Sequence, residues 1–169
     1  MPPKRDHSVL LVSSARAELV KDSTERFPQE ACGALFGTAA HGLTVIEEYR
    51  PLANIADHPL HAFALNPEEW VRCCFTPGLL GIFHSHPSSP PLPSKSDLNA
   101  LQHFGSLLSV YLIGSFRTED GKPYYKEKPP GSPDSFVLRA YSVVKQDNDS
   151  LSLSSLPMTC SEKRTDRLM

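Results

Sequence analysis

Two histidines that directly follow an apolar run are the most informative residues of this sequence. His84 and His86 come after Leu79–Phe83, a run that predicts a buried strand. Because residues two apart in a strand point to the same face, both imidazoles can reach one point. Asp97, eleven residues after His86, can add a carboxylate. Three protein ligands with an open fourth position are typical of catalytic zinc. The spacing therefore predicts a zinc hydrolase whose metal is held by His84, His86 and Asp97.

Each candidate residue also has a non-catalytic interpretation. Histidines two apart can be packed or exposed without a metal, and Asp97 can be an acid that the helix dipole favours in a first turn. Glu30 stands outside ligand spacing, which suits a general base that takes a proton from zinc-bound water and delivers it to the leaving amine. It can equally be a solvated loop acid. Ser94 can cap a helix, because Ser94 and Asp97 have capping-box spacing.

The order of these residues resembles a known family signature. Glu30 leads into a glycine-bracketed apolar segment, and the stretch from His84 to Asp97 contains His-x-His, seven residues, Ser, two residues and Asp. This resembles the JAMM (MPN-plus) zinc metallopeptidase family, in particular its small single-domain prokaryotic members, over about residues 9–144. The resemblance implies that Glu30 is the general base and that the Ser94 hydroxyl stabilises the tetrahedral oxyanion.

The resemblance also implies a substrate class that the spacing alone does not. It implies a metallopeptidase or isopeptidase that cleaves a peptide or isopeptide bond at the Gly-Gly C-terminus of a ubiquitin-like or sulfur-carrier protein. An extended tail could add to a strand edge beside the metal, and glycines let a backbone approach closely. Two alternatives stay open: a non-catalytic MPN scaffold that binds partners, and a zinc hydrolase of small amides. A pure scaffold has no physical need for an open zinc site.

Composition restricts the partners. The 169 residues are 40% hydrophobic and 21% charged, values of an ordinary globular domain. A net charge of −2 gives no electrostatic case for nucleic acid or an anionic membrane surface. No apolar run approaches the roughly 20 residues of a membrane span, and no signal peptide is visible. The four cysteines lack metal spacing, which predicts free thiols. We therefore expect a cytoplasmic protein that binds neither nucleic acid nor membrane, and we leave a homodimer open.

The hydrophobic pattern predicts an α/β chain. Strands alternate with three helices: one capped by Ser13 or Ser14 that runs from Ala15 to about Arg26, one from Asn66 to before Pro77, and one over about residues 95–104. A further strand is expected at His61–Leu65. The resemblance implies a single MPN-like (cytidine-deaminase-like) domain with a curved mixed sheet flanked by these helices. We place this domain at residues 1–145, with an inserted substrate-contacting loop at about 117–134, and a polar, partly disordered tail at 146–169.

Overall fold

The structure is a computed structural model that describes residues 7–116 and 136–161. These residues form one eight-stranded sheet, three α-helices and a short 3-10 helix. The strands are β1 (Ser8–Leu11), β2 (Cys32–Ala40), β3 (Leu43–Leu52), β4 (Leu79–His86), β5 (Val110–Ser115), β6 (Val137–Lys145), β7 (Leu151–Leu156) and β8 (Met158–Cys160). The helices are α1 (Ser13–Arg26), α2 (Pro67–Cys74), α3 (Lys95–Phe104) and the 3-10 helix Gly105–Leu107. The predicted α/β class with three helices is confirmed.

The sheet is mixed, with strand order β7-β6-β5-β4-β2-β3-β1-β8. β4 is an interior strand, antiparallel to β2 and parallel to β5. On one face, Leu19 of α1 packs with Phe83 of β4. On the other, Leu101 of α3 and Trp70 of α2 pack with Ile82. A strand buried on both faces should be apolar almost throughout, which explains the uninterrupted run that leads into the two histidines.

The close packing of β4 against β5 depends on a glycine. A Cβ built on Gly81 would lie 1.7 Å from the carbonyl oxygen of Val110, which is backbone and cannot move aside. Glycine at this position lets the two strands run side by side in parallel, and their register places His84 beside Ile113 and His86 beside Ser115.

The helix starts follow their capping signals in two of three cases. Asn66 accepts hydrogen bonds from the N–H groups of Glu68 and Glu69 ahead of α2, and Ser94 caps α3. α1 differs, because Ser13, expected as a possible cap, is already the first helical residue and Val12 gives no side-chain cap. The N–H of Ser13 instead donates to Oγ of Ser161, 3.1 Å away.

The C-terminal part of the chain is more ordered than the sequence pattern suggests. Residues 151–160, expected in a polar tail, form β7, which pairs with β6, and β8, which pairs with β1. Leu151 and Leu153 pack against the α3 side of the sheet, and Leu156 and Met158 pack against the α1 side. The boundary predicted at residue 145 therefore falls too early, because these spaced apolar side chains complete both cores. Residues 162–169 lie outside the described residues.

Two other predictions meet different outcomes. The strand expected at His61–Leu65 is wrong: this stretch begins in a turn and contributes only an isolated bridge between Asn54 and Leu65. The inserted loop at about 117–134 lies outside the described residues, so its role stays a prediction.

The four cysteines are free thiols, as predicted. Within residues 7–116 and 136–161, no helix has the length and apolar character needed to cross a membrane.

Candidate metal centre

Three of the predicted site residues meet at one point. The alternation of β4 puts His84 and His86 on the face that α3 covers, and their Nε2 atoms lie 2.9 Å apart. Asp97, in the first turn of α3, places Oδ1 3.3 Å from Nε2 of His84 and Oδ2 3.1 Å from Nε2 of His86. All three side chains are buried. The sequence spacing therefore translates into two imidazole nitrogens and a carboxylate that share one small volume.

These separations suit a zinc ion. With Zn–N bonds of about 2.0–2.1 Å, two ligand atoms of a tetrahedral site lie about 3.3 Å apart. The three separations between His84, His86 and Asp97 are 2.9, 3.1 and 3.3 Å. Two imidazole nitrogens that face each other in a buried site must share a proton or a cation, because two bare lone pairs repel. The donor set and its spacing fit the metal that the signature implies.

The surroundings of the site favour a neutral imidazole at His84 and an ionised carboxylate at Asp97. Burial lowers the pKa of His84 and so favours the neutral imidazole that binds metals. Burial alone would raise the pKa of Asp97, but hydrogen bonds from His84 and His86 hold it well below its usual range. Nδ1 of His86 lies 2.7 Å from the carbonyl oxygen of Pro90. Because a carbonyl can only accept, Nδ1 carries a proton. Nε2 faces Asp97 and is the nitrogen that can bind a metal when it carries no proton of its own.

Glu30 completes the cluster from the segment that leads into the neighbouring strand β2. It lies two residues before β2, whose first residue pairs with His84. Ligand atoms of Glu30, His84 and His86 all lie within 4.8 Å of one another. The Glu30 side chain is buried, and its Oε2 has no hydrogen-bond partner among the described residues. Burial, partly offset by His86, raises the pKa of this carboxyl to about 7. Two carboxylates, Glu30 and Asp97, thus border the same pair of imidazoles.

Ser94 of the signature and Ser85, which lies between the histidines, have separate structural roles. Oγ of Ser94 accepts a hydrogen bond from the N–H of Asp97 at 3.0 Å, and Oδ2 of Asp97 accepts one from the N–H of Ser94 at 2.9 Å. This is the capping box that the spacing predicts. Ser85, between the histidines, faces the other way, and its Oγ accepts the N–H of Ala31 at 2.8 Å. It ties β4 to the residue that follows Glu30.

Asn54 is a residue of the site that sequence reasoning missed. Its Nδ2 donates to the carbonyl oxygens of Glu30 and Ala62, and its Oδ1 accepts from the N–H groups of Ala56 and Ala64. The amide thereby uses its full hydrogen-bonding capacity to join the Glu30 backbone to the segment 54–64. A single Asn in a loop carries no signal that could have identified this role.

An aromatic ring holds the first histidine. Phe63 stacks on the imidazole of His84, with ring centroids 4.5 Å apart and an interplanar angle of 24°. Phe63 is itself buried. Phe63 follows the turn at residues 59–61, which the sequence pattern did not predict. The stacked ring fixes the imidazole plane.

A substrate strand cannot add to β4 itself. β2 pairs with β4 as far as His84, the N–H of Ser85 donates to the carbonyl of Ala31, and β5 pairs with it as far as His86. The expectation that the metal lies on a free strand edge is therefore wrong, because β4 is hydrogen-bonded on both sides.

Comparisons with known proteins agree on the family. The model of the family described as prokaryotic homologs of the JAB domain matches residues 12–124. A desampylase from Haloferax volcanii is 37% identical over 100 residues, which cover 52% of this chain and 63% of that relative. A desampylase from Pyrococcus furiosus is 34% identical over 80 residues, which cover 44% of this chain and 54% of that relative. The matches thus span less than two thirds of either relative.

The fold has a counterpart among solved structures. The solution structure of a protein from Desulfitobacterium hafniense superposes with a TM-score of 0.63 at 22% identity, covering 92% of this chain and 94% of that one. At this identity the likeness concerns the fold alone. The family match covers most of the chain and includes Glu30 and all residues from His84 to Asp97. The chain therefore belongs to the family of prokaryotic homologues of the JAB domain, as the JAMM (MPN-plus) signature predicts.

Proposed function

We propose that this protein is a zinc-dependent peptidase or isopeptidase. The observation that supports this most strongly is the convergence of His84, His86 and Asp97 within 3.3 Å of one another, beside the buried carboxyl of Glu30. Membership of the JAB-domain family and the similarity to two desampylases support the same activity.

We assign the metal ligands as His84, His86 and Asp97. Asp97 is the better of the two carboxylate candidates, because it stays ionised at neutral pH and its two oxygens each approach one imidazole. Glu30 has a pKa of about 7 and an oxygen without a partner among the described residues, which suits proton transfer better than ligation. Zinc in such a site polarises a carbonyl and lowers the pKa of water from 15.7 towards about 7.

The side chains then divide the hydrolysis between them. Oε2 of Glu30 takes a proton from the attacking water while the water oxygen adds to the amide carbon. Glu30 returns this proton to the amine nitrogen as the C–N bond breaks, so the products are a carboxylic acid and a free amine. The Ser94 hydroxyl accepts from the N–H of Asp97 and still has its own hydrogen to donate. We assign that hydrogen to the carbonyl oxygen as it gains negative charge.

We propose that the substrate is the extended C-terminal tail of a ubiquitin-like or sulfur-carrier protein, cut after a glycine pair. The desampylase relatives and the family resemblance support this class. The interior position of β4 adds a physical reason, since a backbone that approaches the end of a covered strand is least hindered without a Cβ. A cytoplasmic location and a homodimer stay predictions, as does the contribution of residues 117–134 to substrate binding.

Cleavage of matched fusions tests this function. Ubiquitin-like and sulfur-carrier proteins, each extended beyond Gly-Gly by a short peptide, are incubated with the zinc-loaded protein and analysed by mass spectrometry. We expect cleavage directly after the second glycine. The matched substrate, in which the penultimate glycine is replaced by valine, should not be cut, whereas a change in the residue after the cleaved bond should matter little.

The same assay separates the alternatives. Turnover of a small amide without cleavage of any fusion would favour a small-amide hydrolase. Tight binding of a fusion without turnover, in a protein shown to be zinc-loaded, would favour a scaffold and contradict the proposal.

A further inference from the structure

The loop that follows His86 accepts hydrogen bonds from three side chains on three consecutive carbonyl groups. Oγ of Ser115 donates to the carbonyl of Ser89 at 2.5 Å, Nδ1 of His86 donates to that of Pro90 at 2.7 Å, and the hydroxyl of Tyr141 donates to that of Pro91 at 2.8 Å. The segment is rich in proline, which has no N–H to donate, so its carbonyls are the groups available for anchoring. We call residues 89–91 the anchored turn.

The three donors come from three neighbouring strands and one face of the sheet. Ser115 on β5 is the register partner of His86 on β4, and Tyr141 on β6 pairs with Tyr111 of β5, which shares that face. Ser115 is 0% exposed and Tyr141 is 7% exposed. The anchored turn is therefore fixed by buried side chains that belong to the rigid sheet.

The Pro90 carbonyl, in the middle of the anchored turn, is the one that contacts a proposed metal ligand. In neutral His86, a proton on Nδ1 leaves the lone pair of Nε2 free to bind zinc, and the Pro90 carbonyl is the acceptor that holds that proton and the ring in place. Proline restricts φ at residues 90 and 91, and the N–H of Leu92 also donates to the Pro90 carbonyl at 2.8 Å, so the three carbonyls belong to one compact turn whose orientation is shared. Releasing the carbonyl of Ser89 or Pro91 should therefore loosen the Pro90 carbonyl as well.

We propose that Tyr141 and Ser115 are positioning residues of the metal centre: they clamp the anchored turn so that the Pro90 carbonyl keeps His86 oriented for zinc. This inference rests on the proposed zinc site. Tyr141 lies beyond residues 12–124, the part that the family model matches, and neither residue belongs to the signature. Loss of such an outer hydrogen bond typically weakens metal affinity by about 10–100-fold.

Zinc affinity of Tyr141→Phe is the direct test. This change removes one hydroxyl and keeps the ring, and we expect the zinc Kd to rise about 10-fold when measured by competition with a chromophoric chelator. Ser115→Ala should shift the Kd in the same direction. Cobalt-loaded Tyr141→Phe should also show an altered visible absorption spectrum, because the orientation of the His86 ligand changes.

Tyr49→Phe is the matched control. Tyr49 is buried on the α1 side of the sheet, and its hydroxyl donates to Oδ2 of Asp22 at 2.6 Å. It should lower the melting temperature of the metal-free protein without changing the zinc Kd. Equal loss of zinc affinity in Tyr49→Phe and Tyr141→Phe would mean a general loss of stability and would overturn the inference. So would wild-type affinity in both Tyr141→Phe and Ser115→Ala.

These outcomes are separate from failure of the proposed function. If the wild-type protein binds no zinc, the metal site itself is wrong and the inference falls with it. If the wild type binds zinc tightly and the two clamp variants bind it equally well, the metal site stands and only the positioning roles are wrong. Should Tyr141→Phe not fold, Ser115→Ala decides alone.

Discussion

Two buried carboxyl groups at one site carry opposite protonation preferences. Asp97 receives hydrogen bonds from two imidazoles and from the N–H of Ser94, and these lower its pKa against the effect of burial. Glu30 is also buried, but only the nearby His86 opposes the effect of burial, and its pKa rises to about 7. Environments that separate two acids in this way commonly separate a fixed charge from a proton carrier. The division of labour between ligand and base follows from this difference.

Loss of one imidazole should remove the metal and leave the fold. His86→Ala deletes one of three ligands, so zinc content measured by elemental analysis should fall steeply. The melting temperature of the metal-free protein should change little, because both cores are made of apolar side chains from the sheet and helices. Full zinc occupancy in this variant would refute the ligand assignment.

Glu30→Gln should show the reverse pattern. The amide has nearly the same shape but cannot accept a proton, so turnover should fall by about 10²-fold or more while zinc binding persists. Turnover and zinc content are measured on the same sample. Glu69→Gln serves as a control, because Glu69 bonds to the N–H of Ala53 and lies outside the cluster around His84. Normal activity in Glu30→Gln would remove Glu30 from the reaction.

The capping box that begins α3 serves the helix and the site together. Ser94→Ala and Ser94→Gly both remove the hydroxyl donor, but they differ in their effect on the helix. The alanine variant should lose about 1 kcal/mol of unfolding free energy, whereas the glycine variant should lose only a few tenths. If the hydroxyl stabilises the oxyanion, both should lose about 10²-fold in kcat. If kcat instead falls only in the less stable Ser94→Ala and stays near the wild-type value in Ser94→Gly, the Ser94 side chain acts as a helix cap alone.

The elements that local chemistry dictates could be predicted from the sequence. Asn66 with Pro67, and Ser94 with Asp97, mark the starts of α2 and α3 because caps act over three residues. The alternation of a strand likewise puts His84 and His86 on one face. Contacts between distant segments could not be predicted this way. The four hydrogen bonds of Asn54 and the anchored turn depend on how strands far apart in sequence pair.

The terminal strands were missed for a different reason. β7 alternates leucine and serine at Leu151–Leu153, which is the period of a half-buried strand, but its polar composition resembles that of a tail. β8 has only three residues, too few for any periodic signal. Both strands are stabilised by pairing with β6 and β1 and not by local propensity.

Deletion of β7 and β8 tests how much these two strands contribute to the stability of the fold. A chain that ends at Lys145 loses the apolar side chains Leu151, Leu153, Leu156 and Met158, which pack against both cores. At about 1 kcal/mol for each half-buried side chain, the loss should be about 4 kcal/mol. The melting temperature, followed by circular dichroism, should fall by about 10 °C. An unchanged melting temperature would show that β7 and β8 are dispensable.

The register of the sheet has a practical consequence for how the protein can be attached to a support. Cys160 of β8 pairs with Leu11 of β1, Leu11 with Ile46 of β3, and Ile46 with Gly37 of β2. His84 of β4 pairs with Cys32, which lies five residues from Gly37 along β2. Four strand spacings also separate β8 from β4. At about 3.3 Å per residue and about 4.8 Å per strand, β8 lies roughly 25 Å from the metal centre when the distance is followed along the sheet. A tether or fusion partner joined after Ser161 should therefore leave the approach to His84 open to a protein-sized substrate.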